Sequence, residues 1–240
     1  MVYEDNRSNL KLVLYYLVGD RMFTICYVED EQDLATLIKT YLEKENYNVV
    51  CFSKGNDAIN YIGNKVDIWI LDIMLKDEIS GYDIIKKIRE KDATVPVIFT
   101  SARDQDLDKI LGLELGSDDY VTKPFSPKEL VLRVNNIIKR VYKDKENDVI
   151  NYLEYKIDNK RRVVKLNDKE IKLTTLEFDL LCLFITNLDK SFSREEILNK
   201  VWGDNYFGSD RVVDDLVRRL RKKMPKLNVN TIYGYGYRLS

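Results

Sequence analysis

Five polar residues stand at the ends of apolar runs. Glu29 and Asp30 follow "FTICYV" (23–28), and Asp72 comes late in "VDIWILDI" (66–73). Ser101 sits near the end of "PVIFTSA" (96–102), and Lys123 closes "DDYVTK" (118–123). Taken singly, each has a bland reading. An acid at a strand end caps a helix or meets solvent, a serine before alanine makes a turn, and a lysine before proline is a surface charge. Together they describe chemistry. Three carboxylates supply hard oxygen donors of the kind Mg²⁺ prefers beside phosphate. Asp72 can then attack phosphorus and form an acyl phosphate. Lys123 balances charge on the transferring group, and the Ser101 hydroxyl donates to one of its oxygens, with Ala102 leaving room.

Such convergence needs a particular frame. The apolar runs alternate with helical patterns, as in "DLATLIKTYLEKEN" (33–46), "GNDAINYIG" (55–63), "GYDIIKKIREK" (81–91), "DLDKILGLELG" (106–116) and "SPKELVLRVNNIIKRV" (126–141). The last opens with Ser126 as N-cap and Pro127 at the first helical position. Five such units predict an α/β fold, a doubly wound five-stranded parallel sheet covered on both faces. Ligands of such sheets bind outside the carboxyl ends of the strands, where these five residues fall.

Beyond residue 141 the rhythm changes. "YKDKEND" (142–148) has no apolar anchor and reads as a linker. Residues 153–174 alternate, with turn signals at Asp158-Asn159 and Asn167-Asp168, and predict a small antiparallel sheet. Helices are expected at Thr175–Asn187, Ser193–Val201 and Arg211–Met224, then a hairpin over 229–240. The domain expectation is an N-terminal extension at 1–21, a first domain at 22–141, the linker at 142–148 and a second domain at 149–240. Within the extension "LVLYYLV" (12–18) is preceded by Glu4 and Asp5 and followed by no small-residue cleavage site, unlike a secretory signal. Met22 is an alternative start.

The net charge of −1 hides an asymmetry. Residues 22–140 carry 16 Lys and Arg against 21 Asp and Glu; residues 149–240 carry 18 against 13. A basic second half points to nucleic acid. In "RVVDDLVRRLRKKM" (211–224), Val213, Leu216, Val217, Leu220 and Met224 share one helical stripe. Arg211, Asp214, Arg218 and Arg221 share another, flanked by Arg219, Lys222 and Lys223. Such a face suits the major groove and its phosphates. The chain has no histidine, which removes His-based catalysis and His metal sites. Its three cysteines show no metal-ligand spacing and fit a reducing cytoplasm. No apolar stretch reaches the roughly 20 residues that span a bilayer.

The motifs "YVEDE" (27–31), "LDIML" (71–75) with Gly81, "TSA" (100–102) and "DDYVTKPF" (118–125) make residues 22–141 resemble a response-regulator receiver domain of the CheY-like kind. "LTTLEFDLLCLFITN" (173–187), "SREEILNKVWGDNY" (193–206), the basic helix and the aromatic hairpin resemble the α+β winged helix-turn-helix effector of the OmpR/PhoB subfamily. The resemblance implies Asp72 as phospho-acceptor for the histidine of a separate sensor kinase. It implies Mg²⁺ held by Glu29, Asp30, Asp72 and the Met74 backbone carbonyl. Ser101 and Tyr120 would form a switch pair, with Lys123 in the conserved-type role and a cis peptide before Pro124. It further implies dimerisation through the fourth helix, fifth strand and fifth helix, pairing Lys109 with Glu129 and Asp119 with Arg133 across the interface. The recognition helix would be Arg211–Met224, with Arg211, Asp214, Arg218, Arg219 and Arg221 at contact positions on double-stranded promoter DNA. The wing would be Thr231–Leu239, and the loop 203–210 would lie near RNA polymerase.

Four positions depart from the pattern. Lys76 stands where such regulators often carry proline, and Ser101 where threonine is commoner. Tyr233 holds the place of an arginine that enters the minor groove, and Asp215 adds repulsion toward phosphate. Modest DNA affinity per monomer, raised by dimer binding to repeated half-sites, is the expectation. Two other functions compete with a phosphorylation-gated transcription regulator. A haloacid-dehalogenase-like phosphohydrolase needs a second aspartate two residues after the nucleophile, where Met74 stands, so turnover of an external substrate is not expected. A regulator that binds DNA regardless of phosphate is the third.

Overall fold

The computed structural model describes residues 21–102, 111–112, 114–142, 149–203 and 211–240. Most of the helix expected over 106–116, nearly all of the linker and most of the loop 203–210 lie outside the described residues. So does the extension apart from Arg21. The chain divides into two compact units between Asp144 and Lys145.

The first unit contains β1 (Thr24–Val28), α1 (Gln32–Glu43), β2 (Asn48–Phe52), α2 (Gly55–Tyr61), β3 (Ile68–Asp72), α3 (Gly81–Lys91), β4 (Val97–Ser101), β5 (Asp119–Thr122) and α4 (Pro127–Tyr142). The five strands form one sheet in the order β2-β1-β3-β4-β5, each pair parallel. Strand periodicity divides the apolar residues between two cores. Ile25 and Tyr27 of β1 and Ile68 and Ile70 of β3 pack with Ile38 and Leu42 of α1 and Leu130, Val134 and Ile138 of α4. Cys26, Val28, Trp69 and Leu71 point the other way, to Ala58 of α2 and Ile84, Ile85 and Ile88 of α3. Both faces are therefore dry, and the carboxyl edge of the strands is left for polar groups.

Local chemistry sets the helix starts behind that edge. Ser80 caps α3 in a reciprocal box with Asp83. Gly81 is needed for approach: a Cβ there would lie 2.4 Å from the carbonyl oxygen of Asp72. Ser126 Oγ accepts the Glu129 N–H at 3.1 Å, opening α4 at Pro127. Arg21, counted with the extension from sequence, packs on the unit. It pairs with Asp67 and stacks over Phe23 and Tyr142 at 5.1 and 5.0 Å.

In the second unit, β6 (Val149–Tyr152), β7 (Tyr155–Asp158), β8 (Val163–Leu166) and β9 (Lys169–Ile171) make an antiparallel meander. The helices α5 (Thr175–Ile185), α6 (Arg194–Trp202) and α7 (Arg211–Lys223) follow, with β10 (Ser191–Ser193), β11 (Val229–Ile232) and β12 (Gly236–Leu239) in a second sheet. Two strands differ from the expectation. β6 begins the meander four residues before residue 153, because the β6–β7 turn runs through Leu153 at φ 51°, a residue that carries no turn signal. The hairpin is joined by a third strand, β10, on the far side of β12. Gly236 permits this: a Cβ there would sit 2.0 Å from the Phe192 carbonyl oxygen.

Candidate functional site

The strand order reverses between β1 and β3, and the acidic residues sit at their ends. One carboxylate oxygen from each of Glu29, Asp30 and Asp72 lies within 4.8 Å of the others. Glu29 is only 2% exposed. Its Oε2 accepts the Tyr27 hydroxyl at 2.9 Å and the Lys123 ammonium at 2.7 Å. The same ammonium donates to Asp72 Oδ2 at 2.7 Å, and Asp72 Oδ1 accepts the Met74 N–H at 2.9 Å. Lys123 is set there by its own backbone, whose N–H bonds the Ser101 carbonyl at 2.7 Å, and its peptide to Pro124 is cis.

The electrostatics follow from burial. Burial pushes the Glu29 carboxyl above the ordinary glutamate value; Lys123 opposes that shift and the Asp72 charge adds to it. Burial works against the Lys123 ammonium, but its bonds to Asp72 and Glu29 outweigh it, so lysine stays charged well into alkali. Asp30 meets a different cation. Lys76 Nζ lies 2.8 Å from Asp30 Oδ2, and that carboxylate raises the Lys76 value.

Three convergent hard oxygens, with two ammonium groups against them among the described residues, fit Mg²⁺. Ser101 is fully buried and follows Thr100, the register partner of Asp72. Tyr120 is 7% exposed and belongs to the same buried cluster as Phe99 and Leu71. Tyr27 was missed as a contributor from sequence. Its spacing of two residues from Glu29 puts both side chains on one face of the chain, which is the signal that reveals it.

The charges expected at an interface pair within the single chain described. Arg133 pairs with Asp119 at 2.9 Å and Glu129 at 2.8 Å within one chain, where the expectation had Asp119 and Arg133 meeting across two. Burial raises the Asp119 carboxyl while Arg133 opposes that shift. Lys109 lies outside the described residues.

In the second unit, Val212, Val213, Leu216, Val217 and Leu220 bury one face of α7. Arg211 and Arg218 are exposed, and Arg219 is half-buried. Arg218 meets Asp215 at 3.1 Å. Two of the expected contact residues are engaged inside the domain. Asp214 Oδ1 accepts Arg194 Nε at 2.8 Å and the Tyr237 hydroxyl at 2.7 Å. Arg221 donates to the Val229 carbonyl at 2.6 Å and to Thr231 Oγ1 at 3.0 Å, bracing β11 against α7. Lys223 reaches the buried Glu177 at 2.6 Å. Tyr233, at the tip of the β11–β12 hairpin, is fully exposed.

Comparison with known proteins matches both units. Residues 25–135 match the family described as "Response regulator receiver domain", and residues 168–239 match "Transcriptional regulatory protein, C terminal". The chain is 52% identical to the transcriptional regulatory protein CssR of Bacillus subtilis over 221 residues, covering 90% of this chain and 98% of that one. It is 37% identical to the response regulator SaeR of Staphylococcus aureus over 224 residues, with the same coverage. Among solved structures, a mutant form of RitR aligns with a TM-score of 0.71 at 25% identity, covering 91% and 99% of the two chains. The OmpR/PhoB homologue DrrB of Thermotoga maritima aligns at 0.51 and 31% identity, covering 92% and 100%. A lysine-bridged acidic pocket on a 2-1-3-4-5 sheet, followed by a winged basic module, thus coincides with both family matches, and the chain belongs to the response regulators of the OmpR/PhoB type.

Proposed function

We propose that Asp72 receives a phosphoryl group from the phosphohistidine of a sensor kinase, and that this promotes dimerisation and binding to promoter DNA. The observation that carries the reading is the single Lys123 ammonium bonded at 2.7 Å to both Glu29 and Asp72. Lys123 donates to Asp72 Oδ2 at 2.7 Å and so orients that carboxylate at the strand edge. The Asp72 oxygen attacks phosphorus as the P–N bond breaks, and the departing imidazole nitrogen keeps the bonding pair and takes up a proton. Glu29, Asp30 and Asp72, with the Met74 carbonyl, would hold Mg²⁺, which when bound would supply positive charge beside the transferring group. Lys123 and the Ser101 hydroxyl would meet the new phosphoryl oxygens, and the buried Tyr120 ring would support the shifted arrangement.

Dimerisation through the helix expected over 106–116, β5 and α4 would then require Arg133 to exchange its partners within the chain for partners on a second copy. Two effector units would engage repeated half-sites through Arg211, Arg218 and Arg219, with RNA polymerase contacted through the loop 203–210. Met74, where a hydrolase would carry its second aspartate, supports a switch that turns over no external substrate and loses its phosphoryl group only slowly to water. Among the described residues no helix is long and apolar enough to cross a membrane. The chain would work in the cytoplasm, where its kinase partner and DNA are both in reach.

The test is mass spectrometry after treatment with acetyl phosphate and Mg²⁺, together with sedimentation and DNA binding. A single phosphoryl adduct in wild type and none in Asp72→Ala, with dimerisation and DNA binding following the adduct, is the expected result. An enzyme reading would show multiple turnovers of a phosphate ester. Unchanged DNA binding in Asp72→Ala would show a phosphate-independent regulator.

A further inference from the structure

The acidic edge is bracketed by two lysines with different anchoring. Lys123 lies on β5's side and binds Glu29 and Asp72. Lys76 lies on the opposite side, in the segment joining β3 to α3, and meets Asp30 alone at 2.8 Å. That segment is tied down on both flanks of Lys76. The Met74 N–H bonds Asp72, while Asp77 accepts the Gly55 N–H at 2.7 Å and the Ile79 N–H at 3.2 Å. The lysine backbone is therefore held beside the pocket while its side chain, 83% exposed, can swing out into water. Asp30 has the opposite character: it is mostly buried, and its Oδ2 accepts no well-aligned hydrogen bond, leaving Lys76 as a charge contact only.

We propose that Lys76 is a tethered counter-cation that competes with Mg²⁺ for Asp30 and so sets the metal affinity of the pocket. This rests on the metal-binding reading of Glu29, Asp30 and Asp72 given above. A divalent ion taking Asp30 Oδ2 as a ligand must displace an ammonium already 2.8 Å from that oxygen. The displaced ammonium stays close to the ion because its backbone cannot leave, so both the lost contact and like-charge repulsion oppose binding. Lys123 differs in that it bonds the other two carboxylates, Glu29 and Asp72, and is mostly enclosed, so it lacks the freedom of Lys76 to swing out. A proline at position 76 would remove both the contact and the repulsion.

The experiment is a calorimetric Mg²⁺ titration of the unphosphorylated full-length protein at low and high NaCl. Thermal unfolding with and without Mg²⁺ gives a second readout. Because an exposed ion pair is weak and screened, Lys76→Met is expected to bind Mg²⁺ about two- to fivefold more tightly than wild type, the gap narrowing as salt rises. Lys76→Arg, which restores the charge, should return toward the wild-type value. Lys86→Met removes another exposed lysine, on α3, that pairs with Asp83, and should leave the affinity unchanged. Equal affinities in wild type and Lys76→Met, with binding lost in Asp30→Asn, would overturn the competition while sparing the metal site. An equal gain in Lys86→Met would reduce the effect to net charge and overturn it too. Absence of Mg²⁺ binding in every variant would overturn the metal-binding reading and this proposal together.

Discussion

Around Asp72, three carboxylates share two ammonium groups, whereas along α7 both acids, Asp214 and Asp215, meet an arginine and the cations outnumber the acids. Glu29, Asp30 and Asp72 converge from the ends of β1 and β3, with Lys76 and Lys123 the ammonium groups that meet them among the described residues. In the second unit, Asp214 meets Arg194, Asp215 meets Arg218, and Glu177 meets Lys223. Arg221 is spent on a strand carbonyl. The first region gathers carboxylates in an arrangement that fits a cation. The second uses much of its charge to hold a helix against a hairpin and leaves a few arginines outward. A charged residue on a helix face thus says little about its job until its partners are known, while acids gathered at the carboxyl ends of parallel strands announce a ligand.

The sharpest way to break this contrast is Asp72→Ala. Complete loss of the phosphoryl adduct is expected, read by intact-protein mass, and a persisting adduct would relocate the chemistry. Next in size is Lys123→Met. It leaves the buried Glu29 carboxylate without its cation and should lower receiver stability by about 2–3 kcal/mol in urea unfolding, less than a fully buried pair because Glu29 can protonate. A stability unchanged by this substitution would mean the pocket is wetter than the distances imply.

Gly81→Ala tests the frame behind the nucleophile. Its Cβ meets Asp72 backbone at 2.4 Å, so a cost of about 1–3 kcal/mol and a slowed phosphorylation of Asp72 are expected together. Two arginines then test the second region directly. Arg221→Ala should lower the stability of the effector unit by about 1 kcal/mol through its lost carbonyl bonds. Arg218→Ala should leave stability nearly unchanged and reduce the salt dependence of DNA binding by about one phosphate contact. The reverse pattern would exchange their roles.

The smallest effect concerns pH. The Ser80 hydroxyl holds the Asp83 carboxyl below its ordinary value in the α3 capping box. Its contribution is present above the unfolded aspartate value and is lost as pH falls through the lower folded value. Wild type should therefore lose a little more stability than Asp83→Asn on acidification below about pH 4, measured by thermal melts across that range.

Much of this was legible in the residues alone. Continuous apolar runs alternating with helical patterns leave a two-faced parallel sheet as the economical packing, and the polar residues at the run ends had to meet at one edge. Strand β10 was not legible because three residues, Ser191–Ser193, carry no period; their pairing depends on Gly236, forty-odd positions away. Nor was β6, whose turn uses Leu153 against its type.

By itself the sequence determined which residues carry ionisable groups, which runs are dry, and therefore that Glu29, Asp30, Asp72 and Lys123 share a strand edge. Only the tertiary structure decided who holds whom: Lys123 between Glu29 and Asp72, Lys76 on Asp30, Arg133 on Asp119 of its own chain, Arg221 on Val229. The reason is range. Hydrophobic period acts between near neighbours and survives in the one-dimensional string. A charge contact depends on ångström-scale distances between segments far apart along the chain, and long flexible side chains can satisfy it in several ways until packing selects one.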